Sequence, residues 1–447
     1  MPSGTPNYEL QLIGDQYVTD TSWSSTEGFA VYPTASTGTS DRIGYVHWDD
    51  VVSIQWQYGR RHQDRETRGG TMQIVLKNSD WKFTPDGGGT FANAQWLKTP
   101  VCISVAGNTT SGNTNPQILF NGEIIDYHFN FPTNVAEGTM TIIIGDRLTV
   151  LGNQTLTGSV WALNASTEEA LNGFVTTANC GQSSVDVSGA IGEADIQAFT
   201  ANTTSGNRAG DLITRIANTE QGEVTIRNGS MYSNTMGNRI LLIGRFAGDV
   251  SGAFTGGVVD HGIATFDDQD ADSKNFESLE LVADAGLLVN RASYTRIGGS
   301  EQVYTDSDSV DEFRAQGITR SNLYYTDDSK TLEAATRFVN FQREPTLNVA
   351  SVKRQKVAVG PPTNTNRLGV FDTNTNGLLT STGSRVTVNI SKPETTDQIS
   401  FAKQCVGVRG MINRRYMQLT YDLANSPIAA FVLDSPILGQ LDDDRLG

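Results

Sequence analysis

Apolar and polar residues alternate in two neighbouring stretches of the chain, residues 52–57 and 72–77, and the segment between them is charged. In the first stretch Val52, Ile54 and Trp56 are separated by polar residues, and the second stretch has the same spacing. Successive side chains of a β-strand point to opposite faces, so this spacing is typical of half-buried strands. The two stretches therefore predict one long hairpin, with residues 58–70 as its connection.

The alternation continues along the chain, and helical spacing interrupts it in a few places. Further strands are predicted at 101–105, 118–131, 140–144, 287–294, 347–352, 386–390, 401–408 and 417–423, and the longest carries Ile125, Tyr127, Phe129 and Phe131 on one side. A capping box at 166–169 predicts a helix start, and apolar residues at helical spacing predict helices around 212–217 and 332–339. Ser309 is predicted to cap a short helix that Gly317 ends.

Many strands and few helices predict a mainly β protein with α+β insertions, in which several domains include tube-like β-barrels and a small α/β domain. The predicted domains are an N-terminal arm (1–40), a tube-like β-barrel (41–157), an α/β domain (158–240) and the first part of a second barrel-like domain, with helices (241–359). Residues 360–379 repeat Thr-Asn-Thr-Asn and predict a crossover loop. Residues 380–447 are expected to complete the second barrel and to end in an acidic tail.

Composition, charge and cysteine content argue against some classes of protein. Charged residues make up only 18% of the chain and Gly is abundant, which is typical of a β-rich, turn-rich globular protein. The formal net charge of -16 argues against a nucleic-acid reader, because phosphate binding needs clustered Lys and Arg. Three scattered cysteines predict no disulfide framework. Without a signal segment or a membrane-length apolar run, the chain is expected to fold in the cytoplasm.

The usual signatures of enzymes and metal sites are missing from the sequence. The four histidines belong to no zinc, nucleophile or phosphate-loop motif. An acidic run from Asp267 to Asp272 offers oxygen ligands, but Ser273 and Leu279 stand where a calcium loop needs Gly and Glu. Paired carboxylates of a glycosidase cannot be chosen by spacing alone. We therefore predict no catalytic residues, no cofactor and no metal site.

The charged connection of the first hairpin is the best candidate for an interaction surface. A long hairpin tip projects from its barrel, and this one carries a dense set of charged donors and acceptors. A solvated loop with internal ion pairs is the alternative interpretation. As an assembly contact it would act through Arg60, Arg61, Asp64, Arg65, Glu66 and Arg68.

The order of these features resembles a known family, the phage minor tail proteins of the baseplate-hub type. After the second strand, residues 76–85 fit that family's pattern L-x-N-x-D-x-x-F-x-P, with Asn78, Asp80 and Phe83 in place. Similar segments follow at 211–222, 288–291 and 337–345, and 430–447 resembles the family's C-terminal signature. The resemblance covers most of the chain from about residue 41, while 181–208 and 360–379 match nothing in the family.

The resemblance implies a structural, non-enzymatic protein of the virion tail tip. Three copies would form a ring with two tube-like barrels each, which matches the sixfold symmetry of a tail tube. The implied partners are a distal tail protein, the tape measure protein and tail-tip or fibre proteins. Phage DNA would pass through the channel without specific binding, because acidic residues repel phosphates.

Two alternatives stay open from the sequence. One is a glycan-binding adhesin or a tail-associated glycan hydrolase, suggested by the β-rich composition and by the aromatic residues Trp23, Trp81 and Trp96. The other is a distal tail adaptor, which would form hexamers instead of trimers.

Overall fold

The structure is a computed structural model of the 447-residue chain. It describes residues 8–12, 29–31, 44–46, 50–61, 68–84, 97, 100–105, 117–132, 137–167, 169–171, 173, 186–188, 196–201, 206–227, 239–243, 264–268, 276–283, 287–345, 347–357, 382, 385–392, 398–413 and 416–425. None of the helices in these ranges is long and apolar enough to span a membrane.

Strands dominate the described part of the chain, which confirms the prediction of a mainly β, multi-sheet fold. In chain order the strands are β1 Tyr8–Leu12, β2 Phe29–Val31, β3 Gly44–Val46, β4 Val51–Gly59, β5 Arg68–Lys77, β6 Pro100–Val105, β7 Gln117–Asn130, β8 Thr139–Gly145, β9 Thr155–Leu156, β10 Gly158–Trp161, β11 Asp186–Ser188, β12 Phe199–Ala201, β13 Asn207–Arg208, β14 Glu223–Arg227, β15 Arg239–Ile243, β16 Ala264–Asp267, β17 Ser278–Ala283, β18 Arg291–Arg296, β19 Glu301–Thr305, β20 Gly317–Leu323, β21 Leu347–Val357, β22 Arg385–Ser391, β23 Gln398–Asn413 and β24 Tyr416–Asn425. The helices are α1 Arg147–Gly152, α2 Ala209–Glu220, α3 Ser307–Phe313 and α4 Asp328–Gln342.

Twelve of these strands form one large sheet that consists of two halves. The first half-sheet has the order β1-β6-β7-β8-β5-β4, and the second half-sheet has the order β16-β22-β23-β24-β21-β17. When the six strands of each half are equated in chain order, the two spatial orders are the same. Neighbouring strands are antiparallel in both halves, except that β16 runs parallel to β22. The chain therefore contains the same six-stranded arrangement twice.

A β-bulge at the same place in both halves supports this duplication. In the β7–β8 pair the register shifts between Ile124 and Asp126, and in the β23–β24 pair it shifts between Cys405 and Gly407. A bulge adds one residue to one strand and bends it locally. Ile125 of the first half-sheet therefore corresponds to Val406 of the second, and the residues that follow correspond one by one.

One hydrophobic core serves both half-sheets. Its buried side chains come from β4, β5, β7 and β8 of the first half and from β16 and β21–β24 of the second. Ile74 and Val352, at equivalent positions, are both about 1% exposed or less. The two half-sheets thus share one sheet and one core, and the division into two barrels stays a prediction.

A bulge also corrects the predicted face of β4. The alternation assigned Val52 to the same face as Ile54 and Trp56, but Val52 is exposed and Val51 is buried. The register between β4 and β5 shifts between Val51 and Ser53, and this shift moves the side chains before it to the opposite face.

The segment after β5 closes the end of the first hairpin, and the residues of the L-x-N-x-D-x-x-F pattern explain how. Asn78 is fully buried; its Nδ2 donates to Thr84 Oγ1 (2.8 Å) and its Oδ1 accepts from the Phe83 N–H (2.9 Å). The backbone N–H of Asn78 donates to Gly138 O (2.7 Å), and the Phe83 ring is fully buried in the shared core. The pattern thus fixes a turn that places the Phe83 ring in the core.

A smaller unit follows the first half-sheet. The capping box predicted at Ser166 is present, since the Ser166 N–H donates to Glu169 Oε2 (2.8 Å) and the Glu169 N–H donates to Ser166 Oγ (3.1 Å). Helix α2 buries Leu212 and Ile216, as its stripe predicted. The residues that follow the capping box and helix α2 pack in a second core with residues of β9, β10 and β14. Tyr324, from farther along the chain, belongs to the same core.

A third core lies in residues 287–345, between β17 and β21. Strands β18, β19 and β20 form a three-stranded sheet, and α4 packs on it through Ala335 and Val339. Helix α3 is capped by Asp306, whose Oδ1 accepts from the Ser309 N–H (2.9 Å), and not by Ser309 as predicted. Asp306, three residues before Ser309, offers the carboxylate that accepts from a free N–H of the helix start.

Candidate assembly interface

The two half-sheets meet where β4 pairs with the second part of β23. The antiparallel register runs from Ser53 opposite Asn413 to Gly59 opposite Gly407. The first part of β23 holds β22 along the same edge, so this 16-residue strand bridges both halves. Beyond the ladder the Arg60 N–H donates to Val406 O (2.9 Å). We call this contact the internal junction.

A large side chain opposite a glycine closes the core side of the internal junction. Trp56 is 3% exposed and lies opposite Gly410, where an added Cβ would come within 2.0 Å of the indole ring. Gly407 is equally restricted, because a Cβ there would lie 2.1 Å from Arg60 O. Gly59, with φ of +77°, turns the chain over that position. The junction therefore depends on small residues in β23 that admit bulky neighbours from β4.

A buried carboxylate holds the other edge of the first hairpin. Asp146 caps α1, and it accepts from the Thr149 N–H (2.7 Å) and from the Gly70 N–H of β5 (2.6 Å). Thr149 Oγ1 returns a hydrogen bond to Gly70 O (2.8 Å). Burial raises the pKa of Asp146 to about 6, because desolvation of the charged form outweighs these hydrogen bonds.

Charged side chains of β23 find partners inside the second half-sheet. Arg409 donates from Nε and Nη2 to the two carboxylate oxygens of Asp422, both at 2.8 Å. Lys403 is buried and donates to Asn348 Oδ1 (2.7 Å), and its burial lowers the pKa of the ammonium group to about 8. The first contact joins β23 to β24 and the second joins it to β21, so both lie within the second half-sheet. The edge of β23 that pairs with β4 stays available.

Aromatic rings line β7 at the positions that follow its bulge. Trp81 stacks on Phe131 with centroids 4.7 Å apart, Phe131 stacks on Phe129 at 6.0 Å, and Phe129 meets the edge of Tyr127 at 5.8 Å. Phe131 and Trp81 are 40% and 42% exposed. We call these four residues the aromatic strip. The alternation of residues 125–131 was visible in the sequence, but their exposure was not.

The predicted contact loop is only partly within the described residues. Arg60 lies at the internal junction and Arg61 is exposed beside it. Arg68 begins β5, and nothing is described of its side chain. Asp64, Arg65 and Glu66 lie outside the described residues, so the loop as an assembly contact stays a prediction.

The described residues bring no group of three or more His, Cys, Asp or Glu side chains together as metal ligands. Asp267 accepts from Asn389 Nδ2 (3.1 Å) and Gln398 Nε2 (3.0 Å), and Asp268 accepts from the Ser391 N–H (2.7 Å). These two carboxylates thus connect β16 with its neighbours. Asp270 and Asp272 lie outside the described residues.

Comparison with known proteins gives matches among solved structures only. No known protein family matches the chain, and no curated protein matches it. The chain is similar to phage tail proteins.

A tail protein from Neisseria meningitidis MC58 is 11% identical, with a TM-score of 0.47, and the match covers 83% of this chain and 95% of that one. The 43 kDa tail protein of prophage MuSo2 from Shewanella oneidensis is 12% identical, with a TM-score of 0.48, and the match covers 85% of this chain and 94% of that one.

A third match is a component of the type VI secretion system of E. coli, described as similar in structure to the T4 bacteriophage tail proteins gp27 and gp5. It is 10% identical, with a TM-score of 0.45, and the match covers 88% of this chain and 77% of that one.

Proposed function

We propose that the chain is a structural, non-enzymatic protein of the tail tip of a tailed bacteriophage. In this role three copies form a baseplate-hub ring that joins the tail tube to the distal tip proteins and surrounds the DNA exit channel. The tail-tip position follows from the sequence resemblance to the baseplate-hub type. The duplicated half-sheet supports the ring, and this is the observation that carries the proposal.

A chain with two copies of one six-stranded arrangement, joined edge to edge, is suited to ring formation. A head-to-tail contact that repeats generates a closed ring when the rotation closes. The internal junction already supplies one such contact within each copy. Three copies then present six similar half-sheets, which is the number that a hexameric tail tube offers.

The charge of the chain fits a channel for DNA. A net charge of -16 repels phosphates, so DNA would pass the ring without binding to it. The proposed partners are the distal tail protein, the tape measure protein and tail-tip or fibre proteins. The charged loop that includes Arg60 and Arg61 is our proposed contact with a neighbouring copy or with the tube.

Electron microscopy of assembled tails, together with the mass of the purified full-length assembly, tests this function. We expect density for three copies at the tail tip and a mass of three chains. A mass of six chains would favour the distal adaptor. Density elsewhere in the virion would contradict the hub, and binding on a glycan array or digestion of cell wall would favour the glycan-directed alternative.

A further inference from the structure

Two strand edges of the large sheet are equivalent to the edges that pair at the internal junction, but they have no partner strand among the described residues. Strand β23 holds β22 and then β4 along one edge, whereas its equivalent β7 holds β6 only as far as Glu123. Strand β17, the equivalent of β4, ends the path of the sheet. Within the described part of the chain no strand pairs with β7 beyond this point on that edge, or with the outer edge of β17.

The duplicated register tells which residues of these edges correspond to the internal junction. From the shared bulge, Tyr127, Phe129 and Phe131 correspond to Val408, Gly410 and Ile412. Leu279 pairs with Val352 as Ile54 pairs with Ile74. Because Val352 and Ile74 occupy equivalent places in the sheet, Leu279 corresponds to Ile54. The register then shifts between Glu280 and Leu281, but the extra residue, Ala350, lies on β21, so Leu281 still corresponds to Trp56 by its position two residues farther along β17.

Burial differs sharply between the equivalent positions. Ile412 is 4% exposed and Trp56 is 3% exposed, but their counterparts Phe131 and Leu281 are 40% and 44% exposed. Apolar side chains thus remain open to solvent at the positions where the internal junction buries them. An exposed edge with apolar side chains is a surface that another strand can cover.

The internal junction and the two free edges differ in which strand carries the larger side chain. At the internal junction Trp56 faces Gly410, and a side chain at 410 would collide with the indole. On the free edges Phe129 takes the place of the glycine and Leu281 takes the place of the tryptophan. A strand with tryptophan at this position, as in β4, has no room to cover Phe129. A strand with leucine there, as in β17, would leave a gap over Gly410. The side chains therefore distinguish the two contacts.

The polar atoms of the β7 edge are consistent with a vacant pairing position. The Tyr127 N–H donates to the carboxylate of its neighbour Asp126 (2.8 Å); Asp126 is exposed and Tyr127 is half-buried. The corresponding residue Val408 pairs with Tyr58 of β4. A side chain thus provides the acceptor that a partner strand would otherwise provide.

We propose, on the basis of the ring function above, that the outer edge of β17 in one copy pairs antiparallel with β7 in the next copy, in the register of the internal junction. The pairs on the core side are Leu279 with Phe131, Leu281 with Phe129, and Ala283 with Tyr127. The ladder ends there because Asp126 corresponds to Gly407, a position without room for a side chain beside Arg60, and β17 ends at Ala283.

Disulfide cross-linking of full-length chains tests this register. The hydrogen bond from Arg60 to Val406 makes that pair a hydrogen-bonded one, so Gln55 and Met411 form a non-hydrogen-bonded pair, with Cα atoms about 4.5 Å apart. Asn130 and Glu280 are the corresponding pair between copies, and this spacing suits a disulfide. We expect an oxidised mixture of the Asn130→Cys and Glu280→Cys chains to give a covalent dimer that needs both variants.

The matched control is a mixture of His128→Cys and Glu280→Cys chains, which lie on the same face but two residues out of register, about 7–8 Å apart. We expect its yield to fall to the background, because Cα atoms more than about 7 Å apart cannot be bridged without movement of the backbone. The unsubstituted chain, with its native cysteines, gives the background.

The outcomes separate this proposal from the ring itself. A mass of three chains without cross-linking above background, or with equal yield from the control, overturns the register and leaves the ring function in place. Chains that stay monomeric at every concentration and do not cross-link overturn both. Loss of the trimer in Leu281→Trp, with an unchanged melting temperature of the monomer, would further support the size difference between the two contacts, and a normal trimer would contradict it.

Discussion

At the scale of single residues, Asp146 shows how one buried carboxylate ties two elements together. It caps α1 and at the same time binds the Gly70 N–H of β5. A Cβ at Gly70 would lie 2.6 Å from that carboxylate oxygen, so the glycine is required by the close approach. The contact holds the hairpin strand against the helix that follows β8.

The stability of the protein should depend on pH through the titration of Asp146. Burial raises its folded-state pKa from 3.8 to about 6, so the folded protein binds this proton between these pH values and the unfolded chain does not. The contribution to stability is complete below about pH 4 and is lost as the pH rises through 6, on the order of 3 kcal/mol in total. The Asp146→Asn variant lacks this dependence.

Melting temperatures of the wild type and of Asp146→Asn, measured from pH 4.5 to 7.5, check this expectation. The wild type should lose stability relative to the variant as the pH rises. Asp211→Asn, a change at an exposed position in the first turn of α2, serves as the control. A wild-type-to-variant difference that is constant with pH would refute the assignment.

At the scale of elements, the internal junction depends on the match between Trp56 and Gly410. A methyl group at residue 410 would lie within 2.0 Å of the indole, so β4 would have to shift or the ring would have to rotate. Strand pairing supplies the hydrogen bonds of this contact, while the side chains decide which strand fits.

Gly410→Ala is therefore expected to destabilise the protein by about 1–3 kcal/mol, the usual cost of overpacking. Trp56→Leu in the same chain should recover part of the loss, because the smaller side chain makes room. Gly317→Ala is the matched control, since its new Cβ would be 3.9 Å from its nearest neighbour, Arg291 O. Chemical denaturation of Gly410→Ala, Trp56→Leu, their double variant and Gly317→Ala measures the coupling, and simple additivity of the two junction changes would disprove the contact.

Sequence patterns predicted individual elements well and their partners poorly. The stripe of α2 and the capping box at Ser166 appear as expected, because both depend on residues a few positions apart. The bulge that moves Val52 outward left no mark in the alternation, since a bulge is decided by the partner strand. Phe129 was visible as one of an aromatic row, but its counterpart Gly410 lies far away in the chain.

At the scale of the whole molecule, both half-sheets share one hydrophobic core. Buried residues of the first half, such as Ile142, belong to the same cluster as Val352 and Leu419 of the second. A shared core couples the stabilities of the parts that contribute to it. The large sheet is therefore expected to unfold as one cooperative unit.

Ile142→Ala should lower the stability of both halves, by about 2–5 kcal/mol, although the change lies in the first. Hydrogen exchange of the slow amides in β8 and β24 measures this, and both strands should lose protection together. The solvent-facing change Gln55→Ala in β4 is the control, because its side chain is exposed. Protection lost in β8 alone would mean that the two halves open independently.

The sequence by itself determined the local elements and the mainly β character, because strand pleat and helix turn impose periods that a few neighbouring residues reveal. It also indicated the turn after β5, whose Asn78 and Phe83 act within six residues of each other. Only the tertiary structure decided which edges pair, that β4 meets β23, and that one arrangement occurs twice. Strand pairing uses backbone groups that every residue has, so the sequence marks the faces of strands far more clearly than their partners.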